Sequence, residues 1–220
     1  MNDKEFYVST YSIKSVSESP AGISVSILIG TADNFEVAEY LISREFWYWG
    51  RLQNGSDISE EEYLGMDRSA SLSRAIARMK GILSYSGVSR RTLIQKLKGY
   101  DFSEEICVCA ADYAVDHGMV REDVQVEHAI DTYLHRKYWG RRRITAELSA
   151  KGYPREVIDN ALAQIPEEDF MRALHVILVK KYGEIPADPQ EKQKMILSLL
   201  RMGYSGNEIK DALASFADAE

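Results

Sequence analysis

The stretch YLHRKYWGRRRITAELSAKGYPREVIDNAL, residues 133–162, decides the fold because related stretches stand on both sides of it. Shifted from position 82 to position 133, the stretch ILSYSGVSRRTLIQKLKGYDFSEEICVCAA aligns with it without a gap. The same shift carries the quoted stretch toward the C-terminal end, where Gly152 falls on Gly203 and Leu162 on Leu213. A fixed period of this size is typical of tandem helical repeats. The sequence therefore predicts three copies of one helical unit.

Each copy is predicted to contain three short helices, which in the middle copy cover 124–138, 141–151 and 154–164. The apolar residues of the first helix recur at i, i+4, i+7 and i+8, as on the inner face of an amphipathic helix: Val126, Ile130, Tyr133 and Leu134. The glycine of KGY, Gly152, is a typical helix stop, and Pro154 suits the first turn of the next helix. The inward-facing residues of the later two helices are Ile144, Leu148, Val157, Ile158, Ala161 and Leu162.

The fold class predicted is mainly α, with three tandem three-helix repeats in an elongated array after a small β-rich segment. The repeats are assigned to residues 70–120, 121–166 and 167–217, and neighbouring copies are expected to share burial because each core is small. The third copy carries extra residues within GEIPADPQEK, where two prolines and a glycine predict a loop. Ser103 and Ser205 replace Pro154 in the other copies, and serine is a good N-cap.

Residues 1–65 differ in pattern from the repeats. FYVSTYSIKSV and GISVSILIG alternate apolar with polar residues and predict strands, and SESPAG between them predicts a turn. NFEVAEYLISREFWYWG, residues 34–50, is predicted to be a helix that ends at Gly50. SDISEEEYLG then has the capping residue and early carboxylates of a helix start.

The composition of the chain indicates which broad class of protein it belongs to. The chain has 220 residues, is 45% apolar and 28% charged, and carries a net charge of −7, as a soluble globular protein does. It has no apolar run long enough to cross a bilayer and no secretion signal at its start, so a cytoplasmic protein that contacts no membrane is expected. Cys107 and Cys109 lie two positions apart and would face different sides of a helix, so no local disulfide is expected. Neither a metal nor a cofactor is predicted.

The charges form blocks of alternating sign. The segment from Arg68 to Lys98 contains eight basic residues and no acid, whereas the segment from Asp101 to Asp131 contains nine acids and one arginine. A second basic block follows in the middle copy. Such blocks indicate either faces for charged partners or solvated helix faces that pair with each other, and the sequence leaves both open.

The second basic block supplies the candidate binding residues, which stand around the junction of the first two helices of the middle copy. They combine positive charge with an aromatic ring, a combination that can hold a phosphate backbone and stack on bases: Lys137, Trp139, Arg141, Arg142 and Arg143. Arg90 and Arg91 occupy the positions of Arg141 and Arg142 in the first copy. Tyr138 is interpreted as a packing residue because Tyr182 matches it in the third copy, whereas Trp139 has no aromatic equivalent.

Three stretches resemble the RecX family, the regulators of the RecA recombinase: ILSYSGVSRRTLIQKL, YLHRKYWGRRRITAELSAKGYPREVIDNAL and LLRMGYSGNEIKDAL. The resemblance covers about residues 70–215, and the N-terminal layout is similar to that of the longer members. It implies a non-enzymatic negative regulator of homologous recombination that binds along the RecA–DNA filament. There it would limit filament growth, ATP hydrolysis and strand exchange. The net charge of −7 is poor for tight binding to free DNA, so contact with DNA is expected to be weak or indirect.

Two other classes of function stay open at this point. A three-helix unit with a short turn before its last helix is similar to helix-turn-helix modules, so the alternative is a DNA-binding protein that acts without the recombinase. An enzyme is the third class. None of the four histidines, which are His117, His128, His135 and His175, stands in a nucleophile, zinc or phosphate-loop motif, so no catalytic residue is predicted. A monomer is expected.

Overall fold

The structure is a computed structural model that describes residues 10–31 and 34–217. It contains the strands β1 (Thr10–Ser19), β2 (Gly22–Thr31), β3 (Asn34–Ile42) and β4 (Asp57–Ile58). Its first helices are α1 (Arg44–Trp49), α2 (Glu60–Tyr85), α3 (Arg90–Lys98), α4 (Glu104–Asp116) and α5 (Glu122–His135). Those that follow are α6 (Arg141–Ala150), α7 (Arg155–Ala163), α8 (Glu167–Ile177), α9 (Pro189–Arg201) and α10 (Gly206–Ala217). A π-helical segment, Leu178–Tyr182, extends α8.

The chain divides into two compact units. The first unit comprises Met1–Ser86 with Leu93–Asp116, and the second comprises Gly87–Thr92 with His117–Glu220. The mainly helical fold with a β-rich N-terminal part is confirmed. Helix α2 runs without a break across the predicted boundary between residues 65 and 70. The assignment of the three repeats to their residue ranges stays a prediction.

The first unit contains an antiparallel sheet in the order β3-β2-β1-β4. Its inner face is apolar and packs under α1 and α2, with a core that includes Ile13, Val25, Ile27, Trp47 and Met66. Strands β1 and β2 meet in the turn that SESPAG predicts, and Ser19 pairs with Gly22. Residues 6–9 of the predicted first strand lie outside the described residues.

The predicted helix over residues 34–50 is wrong for its first part. Residues 34–42 form β3, which pairs with β2 from Thr31–Asn34 to Ile23–Ile42, and only Arg44–Trp49 is helical. The apolar spacing of this stretch fits a helix as well as a strand, and hydrogen bonding to β2 selects the strand. Ser43 caps the short helix by accepting a hydrogen bond from the backbone of Phe46.

Helix α2 begins as its sequence predicts. Ser59 and Glu62 form a capping box, in which the Glu62 carboxylate accepts a hydrogen bond from the Ser59 backbone at 2.7 Å. That bond is the main reason why the pKa of Glu62 lies below its usual range. Helix α2 packs against α4, whose inner face consists mostly of small residues, and Cys107 is buried there whereas Cys109 is exposed.

The second unit contains two adjoining helical cores. One is formed by α5, α6, α7 and the start of α8 and includes Ile130, Leu134, Ile144, Leu148 and Phe170. The other includes Leu174, Met195, Leu199, Tyr204 and Ile209. The three helices predicted for the middle copy are confirmed to within three residues at each end. Pro154 is the N-cap of α7, one position before the first turn.

The predicted loop in the third copy is shorter than the sequence suggests. Residues 183–188 form the connection, but the last residues of GEIPADPQEK belong to α9. Asp188 caps this helix by accepting a hydrogen bond from the backbone of Glu191, and Pro189 occupies its first position. Ser205 caps α10 as predicted, with its hydroxyl 3.2 Å from the backbone nitrogen of Glu208.

Candidate functional site

The junction between α5 and α6 brings the basic block and two aromatic rings together. Helix α5 ends at His135, and the backbone turns back so that the N–H of Trp139 donates to the carbonyl of Tyr133 at 3.0 Å. Tyr138 makes this turn with a φ of 53°, which costs on the order of 1 kcal/mol for a residue other than glycine. The turn is held by Tyr204, whose hydroxyl donates to the Tyr138 carbonyl at 2.9 Å.

Tyr138 itself serves as a packing residue, in agreement with its interpretation from the repeat. It is half-buried and packs against both helical cores of the second unit. Its hydroxyl accepts a hydrogen bond from Lys180 at 3.0 Å. Tyr138 therefore has packing contacts in both of the helical cores that adjoin at this junction.

Trp139 lies at the centre of an aromatic–cation cluster formed by Tyr133, Lys137, Trp139, Arg143 and Lys151. Its ring stacks on Tyr133, with the centroids 4.8 Å apart. The Lys137 ammonium lies 4.5 Å from the Trp139 centroid, and the Arg143 guanidinium lies 4.1 Å from it. Cations at this distance from an indole ring are attracted to its negative face. The cluster thus combines stacked rings with fixed positive charges.

Lys151 closes the cluster on the side of Tyr133. Its ammonium donates to the Tyr133 hydroxyl at 2.6 Å, and this hydrogen bond is the main reason why the pKa of Lys151 is raised above its usual value. A raised pKa keeps the lysine charged throughout the neutral range. Sequence reasoning assigned Tyr133 only to the core and did not select Lys151, because neither contact follows from helix spacing.

The three arginines at the start of α6 have different surroundings. Arg141 is engaged internally: it donates to the Leu162 carbonyl at 2.8 Å and forms an ion pair with Glu167 at 3.0 Å. Its guanidinium also lies 4.4 Å from the Phe170 ring centroid. Arg142 is exposed, and no side-chain partner is found for it among residues 10–31 and 34–217. Arg143 is also exposed, but its guanidinium lies over Trp139 and donates to the Arg201 carbonyl at 3.5 Å, so Arg142 is the most accessible of the three.

The start of α6 is fixed to the end of α9 by a contact formed by Gly140, Arg142, Met202 and Gly203. We call it the second joint, because an equivalent contact, described next, comes before it in the chain. The backbone N–H of Gly140 donates to the Met202 carbonyl at 2.8 Å, and that of Arg142 donates to the Gly203 carbonyl at 3.2 Å. A Cβ atom on Gly140 would lie 2.5 Å from the Gly203 carbonyl carbon, so the two backbones touch. The joint therefore orients the first turn of α6, which carries Arg142 and Arg143.

An equivalent contact, the first joint, is formed by Ser89, Thr92, Lys151 and Gly152. The hydroxyls of Ser89 and Thr92 lie 2.7 and 2.9 Å from the Lys151 carbonyl oxygen. Ser89 is buried and occupies the repeat position of Gly140. The repeat alignment of Gly152 with Gly203 is thus the sequence signal that points to both joints.

The first joint also places the two candidate arginines of the first copy. The backbone N–H of Arg90 donates to the Glu122 carboxylate at 2.8 Å. Arg91 is exposed, and a Cβ atom added to Gly152 would lie 3.3 Å from its Cβ. Arg91 therefore lies beside Gly152, the residue that follows Lys151, whose ammonium belongs to the aromatic–cation cluster.

The histidines of the described part of the chain stand apart from any cluster of acids that could hold a metal ion. No group of three His, Cys, Asp or Glu side chains that could hold a metal ion is found there. His135 is paired with Asp131 at 2.9 Å on the surface of α5, and His175 contacts Ser215. Across the same residues, no helix combines the length and the apolar character that a membrane span requires.

Two domain models of one family match the second unit. The model described as "RecX, second three-helix domain" matches residues 127–162, and the one described as "RecX, third three-helix domain" matches residues 167–213. The curated relatives called "Regulatory protein RecX" include that of Clostridioides difficile (strain 630), 26% identical over 184 residues, which covers 82% of this chain and 84% of the relative. The relative from Salmonella heidelberg (strain SL476) is 33% identical over 136 residues, which covers 59% of this chain and 81% of the relative.

Solved structures show the same fold. A crystal structure of regulatory protein RecX matches with a TM-score of 0.69 and 18% identity, covering 91% of this chain and 97% of that one. The crystal structure of RecX from Lactobacillus salivarius matches with a TM-score of 0.58 and 21% identity, covering 66% of this chain and 96% of that one. The sequence relatives and the shared fold together establish that the chain belongs to the RecX family of regulatory proteins.

Proposed function

We propose that the protein is a negative regulator of homologous recombination that binds the RecA–DNA filament. By binding, it limits filament growth, ATP hydrolysis and strand exchange. Membership of the RecX family supports regulation as its role, and the aromatic–cation cluster supports a partner that carries phosphates. It acts without chemistry of its own, in the cytoplasm and as a monomer.

The observation that carries the proposal is the position of Lys137 and Arg143 over the ring of Trp139, with the exposed Arg142 next to Arg143 in the chain. Three cations thus stand on one short segment beside a half-exposed ring. The cations can bind the phosphates of a nucleic-acid backbone while the ring stacks on a base. Arg91 and Lys151 extend the positive surface. Arg141 and Arg90 contribute less directly, since the first is paired internally and the second is only partly exposed.

The net charge of −7 argues for docking on the filament over tight binding to free DNA. Affinity for phosphates depends on the number of cation contacts, and this cluster offers only a few. The third helix of the middle copy carries one long basic side chain, Arg155, and it is paired with Asp159 at 2.8 Å on the same helix. A helix-turn-helix reader would be expected to place unpaired donors there.

Co-sedimentation with RecA–single-strand filaments in ATP tests this proposal, with gel shifts on free duplex and single strands beside it. We expect the protein to sediment with the filament and to bind free duplex weakly. The variant Lys137→Ala/Arg142→Ala/Arg143→Ala should bind the filament about tenfold more weakly or worse, because three phosphate contacts are removed.

The matched control is Arg155→Ala/Arg172→Ala/Lys194→Ala. It removes the same charge from exposed sites of the second unit whose cations are paired with neighbouring acids on their own helices. It should bind like the wild type. Tight binding to naked duplex that recombinase does not change would contradict the proposal and favour the DNA-binding alternative.

A further inference from the structure

Strand β3 forms one end of the sheet in the first unit, so one side of its backbone has no strand beside it among the described residues. It is nine residues long and pairs with β2 without a bulge. Exposed edges of this kind are usually protected by lysine, proline, a bulge or a covering segment. The sequence of β3, NFEVAEYLI, contains neither lysine, arginine nor proline.

The outer face of β3 carries three apolar residues and one acid, because Phe35, Val37, Glu39 and Leu41 alternate onto it. Phe35 is 65% exposed, Val37 is 51% exposed and Leu41 is 36% exposed, and all three point away from the core that α2 covers. Phe35 lies over the backbone of Gly30 on β2, where a Cβ atom would come within 2.6 Å of its ring. Large apolar side chains at an unprotected edge are typical of a strand that receives another strand.

The charged residues at this edge of the sheet are all acidic. Glu36 and Glu39 are exposed on β3, and the neighbouring strand β2 contains no charged residue. The segment 1–65 that surrounds them carries eleven acidic and four basic residues. A second copy of β3 would bring like charges together, which is unfavourable in paired strands. A basic strand would instead be attracted.

We propose that β3 binds an extended segment of another protein by strand addition, and that this segment alternates apolar residues with lysine or arginine. Its backbone would pair with the open side of β3. Its apolar side chains would lie on the outer face beside Phe35 and Val37, and its basic side chains would lie on the opposite face, where they would reach Glu36. This binding is separate from the aromatic–cation cluster, which lies in the other unit.

The test uses a fluorescent peptide of alternating lysine and valine, with fluorescence anisotropy against the full chain. We expect saturable binding that weakens with salt, because Glu36 lies on the face where the lysines would stand. A peptide of the same sequence with N-methylated internal amides should not bind, since it cannot pair with a strand edge. Equal binding of both peptides would overturn the proposal.

Protein variants locate the binding. Val37→Lys places a charge on the outer face of the edge and should weaken binding of the lysine–valine peptide by about tenfold or more. The control is Leu64→Lys, which makes the same kind of change at a residue of α2 that is 57% exposed, and it should bind like the wild type. Circular dichroism confirms that both variants are folded.

Two results would overturn the assignment. One is unchanged binding of the peptide to Val37→Lys. The other is a wild-type dimer in analytical ultracentrifugation that Val37→Lys abolishes, because the occupant of the edge would then be a second copy of the chain.

Discussion

The two joints of the second unit connect equivalent helices with different chemical groups. In the second joint, the backbone N–H groups of Gly140 and Arg142 donate to carbonyls at the end of α9. In the first joint, the hydroxyls of Ser89 and Thr92 approach the carbonyl of Lys151 at the end of α6. Both satisfy carbonyls that a helix end leaves without a partner.

The comparison shows that the repeat preserves a geometry, while the groups that make it can change. The second joint brings two backbones into contact and has no room for side chains. In the first joint, the hydroxyls of Ser89 and Thr92 lie between the two backbones, so the spacing depends on side chains that can rotate. The two joints should therefore differ in what they tolerate, and the difference can be measured.

The largest effect is expected from Gly203→Ala. Gly203 has a φ of 96°, and a Cβ atom there would overlap the backbone nitrogen of Arg143. We expect the free energy of unfolding to fall by about 3 kcal/mol, from backbone strain and overlap together. Urea denaturation followed by circular dichroism measures it.

Gly152→Ala sharpens the comparison at the first joint. Gly152 also has a positive φ, but the nearest atom to an added Cβ is the Ser89 hydroxyl oxygen at 2.9 Å, which can move aside. The expected loss is smaller, about 1–2 kcal/mol. Gly206→Ala is the control, because nothing lies within 4 Å of the added atom. Equal losses at positions 152 and 203 would contradict the difference between the joints.

Ser89→Ala removes the hydroxyl from the first joint. The substitution removes the hydrogen bond that the Ser89 hydroxyl donates to the Lys151 carbonyl, and it leaves the backbone N–H of Thr92 without its side-chain acceptor. We expect a loss of about 1.5 kcal/mol in the free energy of unfolding. Ser17→Ala, on the exposed side of β1, provides a serine control and should change stability little. A loss no larger than that of the control would show that the first joint is held by other contacts.

Tyr204→Phe addresses the turn at the second joint and gives a pH dependence. Burial raises the pKa of Tyr204 above its usual value, and its hydroxyl donates to the Tyr138 carbonyl. At neutral pH we expect a loss of about 1 kcal/mol from the missing hydrogen bond.

The same tyrosine should make stability fall at alkaline pH. Above the ordinary tyrosine pKa of about 10, the unfolded chain releases this proton while the folded chain retains it, so stability decreases as the pH rises. Denaturation midpoints between pH 8 and pH 11 should decline more steeply for the wild type than for Tyr204→Phe. Parallel curves would contradict the role of Tyr204.

The smallest effect on stability is expected from Arg142→Ala. Its side chain is exposed and has no partner among the described residues, so the change should stay within about 0.5 kcal/mol. Arg141→Ala is the matched comparison, because it breaks the contacts with Leu162 and Glu167 and should cost more. Thermal denaturation of the two variants distinguishes a free arginine from an engaged one.

The parts of the structure that the sequence predicted are those with local signals. The helices of the middle copy follow from apolar period, Gly152 and Pro154, and α2 follows from Ser59 and Glu62. The stretch 34–42 was predicted incorrectly because its strand depends on pairing with β2, a partner that no local pattern specifies.

The candidate site shows the same division between features with a local sequence signal and features that depend on a partner elsewhere in the chain. The repeat and the block of charge selected Lys137, Trp139 and the arginines of α6 from the sequence. They did not separate Arg141, which is paired with Glu167, from Arg142, which is exposed. That difference depends on where α8 begins relative to α6, and helix spacing carries no such information.

Inhibition of RecA-catalysed strand exchange tests the central claim most directly, which is that the aromatic–cation cluster and its neighbour Arg142 carry the regulatory activity. Dose–response curves are measured for the wild type, for Lys137→Ala/Arg142→Ala/Arg143→Ala and for Arg155→Ala/Arg172→Ala/Lys194→Ala. The first variant should require about tenfold more protein or more for half inhibition, while the second matches the wild type. Full inhibition by a folded first variant at wild-type concentrations would contradict the claim.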